Sequence, residues 1–288
     1  MESIYQVEYI ERKNYKKYIF TKEQEELIVK LYQECGSTTK VGRAFGVEHK
    51  VIERVLRRLG IDRTGAGRRS YRLNEHYFDE IDTPNKAYIL GFLYADGSNC
   101  MSKRTISMSL EERDKAILER IRNEIGSERP LEFLDYSNKH DFGYTYKNQY
   151  RLLLFSAHMC RTLESHGMVP NKSLVLTFPK IKDELLSHFI RGYFDGDGSV
   201  AQGKRETNFI LTITSTNDFC KKVQEIVEKE TGINCHIYDA SNHNGITKVL
   251  ATSGKLQVKT FLDWLYKDAD LFLERKYNRY IQYFYNVA

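Results

Sequence analysis

AYILGFLYADGS at 87–98 and HFIRGYFDGDGS at 188–199 align without a gap at an offset of 101 residues. Gly91/Gly192, Asp96/Asp197, Gly97/Gly198 and Ser98/Ser199 are identical in the two segments. A repeat of this length governs how every neighbouring segment is read. Downstream of each copy the pattern is the same. A stretch of period two comes first (TISMSL at 105–110, FILTITS at 209–215), as expected of a half-buried strand. An amphipathic helix ending near a glycine follows (114–126 and 218–232), then a hairpin (131–155 and 233–253) and a second helix (157–167 and 255–268). Each copy therefore reads helix, strands, helix, strands, helix.

The quoted segments are expected to be helices stopped by the glycine after the last periodic residue. Gly91 with Ala95, and Gly192 with Gly196, are small residues spaced i, i+4 on one helix face. Such pairs let two helix backbones approach closely, which suggests that the two copies pack on each other here. Asp96 and Asp197 then stand side by side at one end of a helix pair. That is a poor place for two carboxylates, because each meets the negative end of a helix dipole and each repels the other. A divalent cation would offset both costs, and Mg²⁺ prefers oxygen ligands of this kind. Carboxylates that hold metals about 3.5–4 Å apart suit in-line phosphodiester hydrolysis. One Asp-Gly alone reads as a turn signal; two copies, each behind a small-residue helix and before a strand, do not.

At these residues both segments resemble the LAGLIDADG motif of homing endonucleases, and the resemblance covers 73–288. It implies an α+β fold: two αββαββα repeats, at 75–180 and 181–288, forming a pseudo-two-fold saddle over the DNA major groove. The two motif helices would form the central interface. Asp96 and Asp197 would hold two or more Mg²⁺ ions and serve catalysis of double-strand cleavage at a long, nearly unique DNA site. Lys172, in GMVPNKS (167–173), and Lys276, in FLERKYNR (272–279), lie 76 and 79 residues after their aspartates. Basic residues at these places approach the scissile phosphates in the family, where a cation stabilises developing charge. Two departures stand out. Tyr94 occupies a motif position that is commonly acidic and that remains Asp195 in the second copy. Arg191 replaces a small residue and is expected on the face away from the helix pair.

Upstream, residues 1–61 read as a small all-α helix-turn-helix domain and 62–74 as a basic linker. Thr21 with Gln24 begins a helix as a capping box, followed by Leu27, Ile28 and Leu31 at helical spacing. After Gly36, two short helices surround Gly46, with Val41, Phe45, Ile52, Val55, Leu56 and Leu59 as the expected core. Net charge is +5, and residues 1–70 carry all of it, with fifteen basic against ten acidic side chains. Lys50, Arg54, Arg57, Arg58, Arg63, Arg68, Arg69 and Arg72 face only Glu53 and Asp62. Such a cluster suits a polyanion, and a basic second helix in a helix-turn-helix suits DNA.

Five cysteines without C-x-x-C pairing suggest neither a disulfide framework nor a zinc site, and the eight histidines show no ligand spacing. No glycine-rich phosphate loop, signal sequence or membrane-spanning run is evident, which suggests a cytoplasmic or organellar protein. The hairpin stretches DYSNKHDFGYTYKNQY (135–150) and DASNHNGIT (239–247) offer Asn, Lys, His, Tyr and Gln to base edges and phosphates, though turn chemistry accounts for some of these equally well. The expected protein is a monomeric, Mg²⁺-dependent double-strand DNA endonuclease of a mobile element. The alternatives are a DNA-binding regulator of the same fold that does not cut, and an intron RNA maturase.

Overall fold

A computed structural model describes residues 4–12, 15–35, 37–61, 71–137, 140–141, 144–169, 172, 175–204, 208–240 and 247–285. The chain divides into two compact units, Met1–Tyr71 and Arg72–Ala288.

The first unit is not all-helical. It opens with an antiparallel hairpin, β1 (Glu8–Arg12) and β2 (Tyr15–Ile19). β1 is exposed at every position, so it has no buried face to impose the alternation by which strands are recognised. Three helices follow: α1 (Lys22–Cys35), α2 (Thr38–Ala44) and α3 (His49–Arg58). The capping box forms as expected: the Gln24 N–H donates to Thr21 Oγ1 at 3.2 Å and the Thr21 N–H to Gln24 Oε1 at 3.0 Å. Gln24 also donates to the carbonyls of Ile4 and Gln6, tying the N-terminal segment to α1. Between α2 and α3 the chain turns at Gly46, whose φ of +62° is left-handed. A Cβ on Gly42 would lie 2.7 Å from the Val47 carbonyl oxygen, so that position must be glycine for the turn to close. Ile28, Tyr32, Val41, Phe45, Ile52, Val55 and Leu56 form the core. Leu59, expected among them, is exposed, because it is the C-cap of α3, past the last turn.

In the second unit, α4 (Pro84–Asp96), β3 (Gly97–Cys100), β4 (Thr105–Glu111), α5 (Lys115–Glu124), β5 (Glu132–Leu134), the short pair β6 (His140–Asp141) and β7 (Tyr144–Thr145), β8 (Gln149–Phe155) and α6 (Ala157–Ser165) form one repeat. The other is α7 (Leu186–Asp197), β9 (Gly198–Gln202), β10 (Phe209–Thr216), α8 (Asn217–Thr231), β11 (His236–Asp239), β12 (Thr247–Ser253) and α9 (Lys255–Tyr266), with α10 (Glu274–Phe284) beyond it. The two four-stranded antiparallel sheets have matching orders, β3-β4-β8-β5 and β9-β10-β12-β11. Their central strands alternate as the period-two stretches require. Ile106, Met108 and Leu110 of β4, and Phe209, Leu211 and Ile213 of β10, are buried in a core shared by both repeats. Residues 72–74, read as the end of the linker, are held within this unit: the Glu128 N–H donates to the Arg72 carbonyl at 3.0 Å, and Asn74 Oδ1 accepts from the His76 N–H.

The two repeats meet along α4 and α7, which are buried from Ala87 to Tyr94 and from His188 to Asp195. Glycine makes this approach possible. A Cβ on Gly91 would lie 2.0 Å from the Phe189 carbonyl oxygen, and one on Gly192 would lie 2.0 Å from that of Tyr88. Here a single methyl group would meet backbone, which cannot rotate away. Gly192→Ala should therefore destabilise the second unit by on the order of 3 kcal/mol through overpacking. Leu256→Ala, at a side chain 77% exposed, should change stability by less than about 0.5 kcal/mol. Urea unfolding of the two variants checks this; equal midpoints would mean that the helices move apart at little cost.

Candidate active site

α4 and α7 each end in an aspartate followed by a glycine. The glycines are not left-handed stops. Gly97 (φ −82°, ψ 156°) and Gly198 (φ −92°, ψ 160°) are extended, and the chain passes from helix straight into β3 and β9. Their small size matters for another reason. A Cβ would stand 2.5 Å from the Leu93 carbonyl oxygen at Gly97, and 2.6 Å from that of Phe194 at Gly198. Asp96 and Asp197 are thus the last helical residues, and both side chains reach solvent. The small residue at 196 makes room between them: a Cβ there would meet Ala95 Cβ at 2.2 Å and Asp96 Oδ2 at 3.0 Å.

The lysines come to the same place in matched fashion. Lys172 Nζ donates to the carbonyls of Ala95 (3.1 Å) and Gly97 (2.7 Å). Lys276 Nζ, from the first turn of α10, donates to those of Gly196 (3.4 Å) and Gly198 (2.5 Å), and also to that of Phe194 (2.6 Å). Ala95 and Gly97 correspond to Gly196 and Gly198 at the offset of 101. Each lysine therefore closes the carbonyl end of its own repeat's motif helix, where a cation also complements the helix dipole. Burial pushes both ammonium groups down, Lys276 to about 8.

Desolvation raises both carboxyls. Asp96 goes up to about 6, through desolvation first and the charge of Asp197 second; Asp197 is raised mainly by desolvation. The lysines oppose these rises crosswise. Lys276 favours the Asp96 anion more than Lys172 does, and Lys172 favours the Asp197 anion more than Lys276 does. The two carboxylates remain penalised even with both ammonium groups near, which leaves a place for further positive charge. Two solvent-facing carboxylates supply oxygen donors only, and that donor set fits a hard divalent cation such as Mg²⁺.

The position where the motifs differ lies inside the protein, not at the exposed ends of the two helices. Asp195 is fully buried and accepts from Tyr88 Oη (2.9 Å), Tyr266 Oη (3.0 Å) and the Leu273 N–H (2.7 Å). It ties α7 to α4, to α9 and to the segment entering α10, three residues before Lys276. Tyr94 is also buried and donates to the His166 carbonyl at the end of α6. Acid and phenol thus both tie a motif helix to the second helix of its own repeat. Arg191 does not face away from the helix pair. It is fully buried, donates to the carbonyls of Leu271 (3.0 Å) and Leu265 (2.9 Å), and stacks over the Tyr88 ring of α4 at 5.2 Å. A motif pattern marks positions but not which of them carry such buried bonds.

In the first unit Lys50, Arg54, Arg57 and Arg58 are exposed on α3. Arg58 is engaged by Glu25 of α1. Lys16 and Lys17 of β2 line one depression with Arg54 and Arg58, a contribution missed because the hairpin was not foreseen. Arg63, Arg68 and Arg69 lie outside the described residues, as do parts of both hairpin stretches, 138–139, 142–143 and 241–246.

Residues 184–264 match the family model of the LAGLIDADG-like domain. No curated protein matches the chain in sequence. Among solved structures, the homing endonuclease I-WcaI bound to its DNA recognition sequence is similar at 16% identity and a TM-score of 0.51, over 74% of this chain and 94% of that one. The I-LtrWI LAGLIDADG homing endonuclease bound to target DNA is similar at 9% identity and a TM-score of 0.43, over 73% and 90%. Full-length DUF199/WhiA from Thermatoga maritima is similar at 15% identity and a TM-score of 0.44, over 73% of this chain; the match spans 64% of that protein's length. The chain thus carries a LAGLIDADG-like domain at 184–264 and shares with LAGLIDADG homing endonucleases the fold of two repeats joined through their motif helices.

Proposed function

We propose that this chain is a site-specific DNA endonuclease that makes double-strand breaks by Mg²⁺-dependent phosphodiester hydrolysis. The observation that carries the reading is the pair of solvent-facing aspartates at the adjoining ends of α4 and α7, each beside a lysine fixed on matching carbonyls. Asp96 and Asp197 are the residues that would hold the metal. When bound, Mg²⁺ activates water and stabilises the leaving oxygen. Lys172 and Lys276, held in place by their carbonyl bonds, offer positive charge to a phosphate as its own charge develops. The polar faces of the two sheets, which carry Ser107, Ser109, Thr212 and Thr214, are a surface for the DNA major groove, forming the two sides of a saddle. The first unit acts as a helix-turn-helix, with Lys50, Arg54, Arg57 and Arg58 on its second helix. The linker residues Arg63, Arg68 and Arg69 follow the phosphate backbone. With both half-sites in one chain, the protein works as a monomer on a long site, as an enzyme of a mobile element does. No helix among the described residues is long and apolar enough to cross a membrane.

Selection of cleaved sites from a randomised DNA library identifies the target. On that target, Asp96→Asn and Asp197→Asn should each lower double-strand cleavage on the order of a hundredfold or more, since each removes a metal-holding carboxylate. DNA binding should survive. Binding without cleavage by the unaltered chain across Mg²⁺ and Mn²⁺ concentrations would instead favour a regulator that does not cut.

A stability experiment reads the carboxylates without DNA. Asp96 titrates near about 4 when unfolded and at about 6 in the fold. Between those values the folded state holds more protons, so metal-free stability falls as pH rises through the window. Asp96→Asn removes that loss. Its melting temperature should exceed that of the parent chain at neutral pH, and the gap should close toward pH about 4. Mg²⁺ should raise the parent's melting temperature more than the variant's. A gap that does not change with pH, or equal responses to Mg²⁺, would remove Asp96 from the metal site.

Residues 72–288 contain both repeats and the entire α4–α7 interface, and should fold and cut alone. They lack the unit that holds the whole excess of positive charge. The slope of log affinity against log salt should therefore become shallower by about 0.9 for every phosphate that the shortened chain no longer neutralises. An unchanged slope and footprint would show that the first unit does not touch DNA.

A further inference from the structure

The histidines, unremarkable in the sequence, form a cluster once the chain is folded. His76 Nδ1 lies 2.7 Å from one carboxylate oxygen of Asp79, and His158 Nε2 lies 2.6 Å from the other. The two rings are 4.5 Å apart between centroids. All three ligand atoms fall within 4.8 Å of one another, the one such group of His, Cys, Asp and Glu among the described residues. Spacing could not reveal it, because His158 comes from the first turn of α6, far along the chain from the turn that carries the other two.

Both parts of the cluster are held firmly by what lies beneath them. Over residues 76–79 the side chains divide: Tyr77 and Phe78 are buried, whereas His76 and Asp79 face outward. The turn is closed by the Tyr77 and Asp79 N–H groups, which donate to the carbonyls of Asn74 (3.2 Å) and His76 (3.1 Å). His166 Nε2 donates to the Phe78 carbonyl at 2.8 Å. Glu75 accepts from Ser156 Oγ, and Ser156 is itself the N-cap of α6, with its Oγ accepting from the Met159 N–H. His158 sits two residues beyond that cap. Thr162 Oγ1 also reaches Asp79 Oδ1, at 3.4 Å.

We propose that His76, Asp79 and His158 form a transition-metal site, taking Zn²⁺ or a similar divalent ion. Two imidazoles and one carboxylate suit zinc, with bonds of about 2.0–2.2 Å, and three protein ligands leave a fourth position for water. The chemistry separates this site from Asp96 and Asp197, whose oxygen-only donors suit Mg²⁺. It belongs to the first repeat alone: at the offset of 101, Thr177 and Lys180 stand where His76 and Asp79 do. The ion clamps the segment leading into α4 onto α6, and so braces the first motif helix from its N-terminal side. This holds whether or not the chain cuts DNA.

The test uses the full chain, freed of metal with a chelator and titrated with Zn²⁺ by calorimetry in excess Mg²⁺. One equivalent should bind to the parent chain and to Asp96→Asn. His158→Gln and His76→Gln should each weaken binding by more than about tenfold. Co²⁺ should give a visible absorption band in the parent that both variants lose. Circular dichroism confirms that the variants are folded; His76, in an exposed turn, serves should His158→Gln fail to fold. No binding by the parent, or binding that neither substitution weakens, would overturn the proposal and leave the three residues as a hydrogen-bonded clasp.

Discussion

Two helix backbones in contact are the constraint from which the rest of the second unit follows. With Gly91 against the Phe189 carbonyl and Gly192 against that of Tyr88, α4 and α7 have no side chains between them where they cross. That contact decides which residues share an end. Asp96 and Asp197 become neighbours because they are terminal in two helices that cannot stand further apart without losing their packing. Gly196 continues the same logic by clearing the space beside Asp96. The backbone contact places this pair of carboxylates, and Tyr193 adds a side-chain hydrogen bond to Asp197.

The lysines solve a structural problem at the same place. A helix that ends at a surface with no left-handed glycine leaves its last carbonyls without partners. Lys172 and Lys276 fill that role in their two repeats, at the matching carbonyls of Ala95 and Gly196. The same bonds that cap the helices hold the two ammonium groups near the aspartates. Helix capping and charge at the site are therefore not separable here, and Lys276 is fixed more firmly of the two. Its helix follows a segment whose Leu273 N–H is held by the buried Asp195, and three carbonyls receive its ammonium where two receive that of Lys172.

The repeat was legible because duplication writes the same constraint twice. The strands β4 and β10, whose buried faces are mostly apolar, were legible for the usual physical reason that burial imposes alternation. The β1–β2 hairpin was not, because an exposed strand carries no such pattern. The glycines after the aspartates were legible as special but not in their reason, since a left-handed stop and a steric gap ask for the same residue. Tyr94 and Arg191 were visible as departures within the motif and Asp195 as the acid it keeps; their partners, Tyr266, Leu273, His166, Leu271 and Leu265, come from other segments and share no spacing with them. His76, Asp79 and His158 illustrate the same limit: only the docking of α6 on the preceding turn puts them together.

Asymmetry between the repeats is built into this arrangement. Each aspartate is favoured more by the lysine of the other repeat than by its own. Each half of the site therefore contains one carboxylate from one repeat and the more influential ammonium from the other. A change to either lysine alters the charge beside both carboxylates. The braces behind the halves also differ. A buried carboxylate with three donors supports the second motif helix, while a tyrosine bonded to a single carbonyl supports the first. The first repeat alone has the His76–Asp79–His158 cluster at the foot of its motif helix. The two repeats thus hold the same four charged groups by different means. The geometry of the pair is common to both, set by glycine contacts that leave no room for an added methyl on either helix.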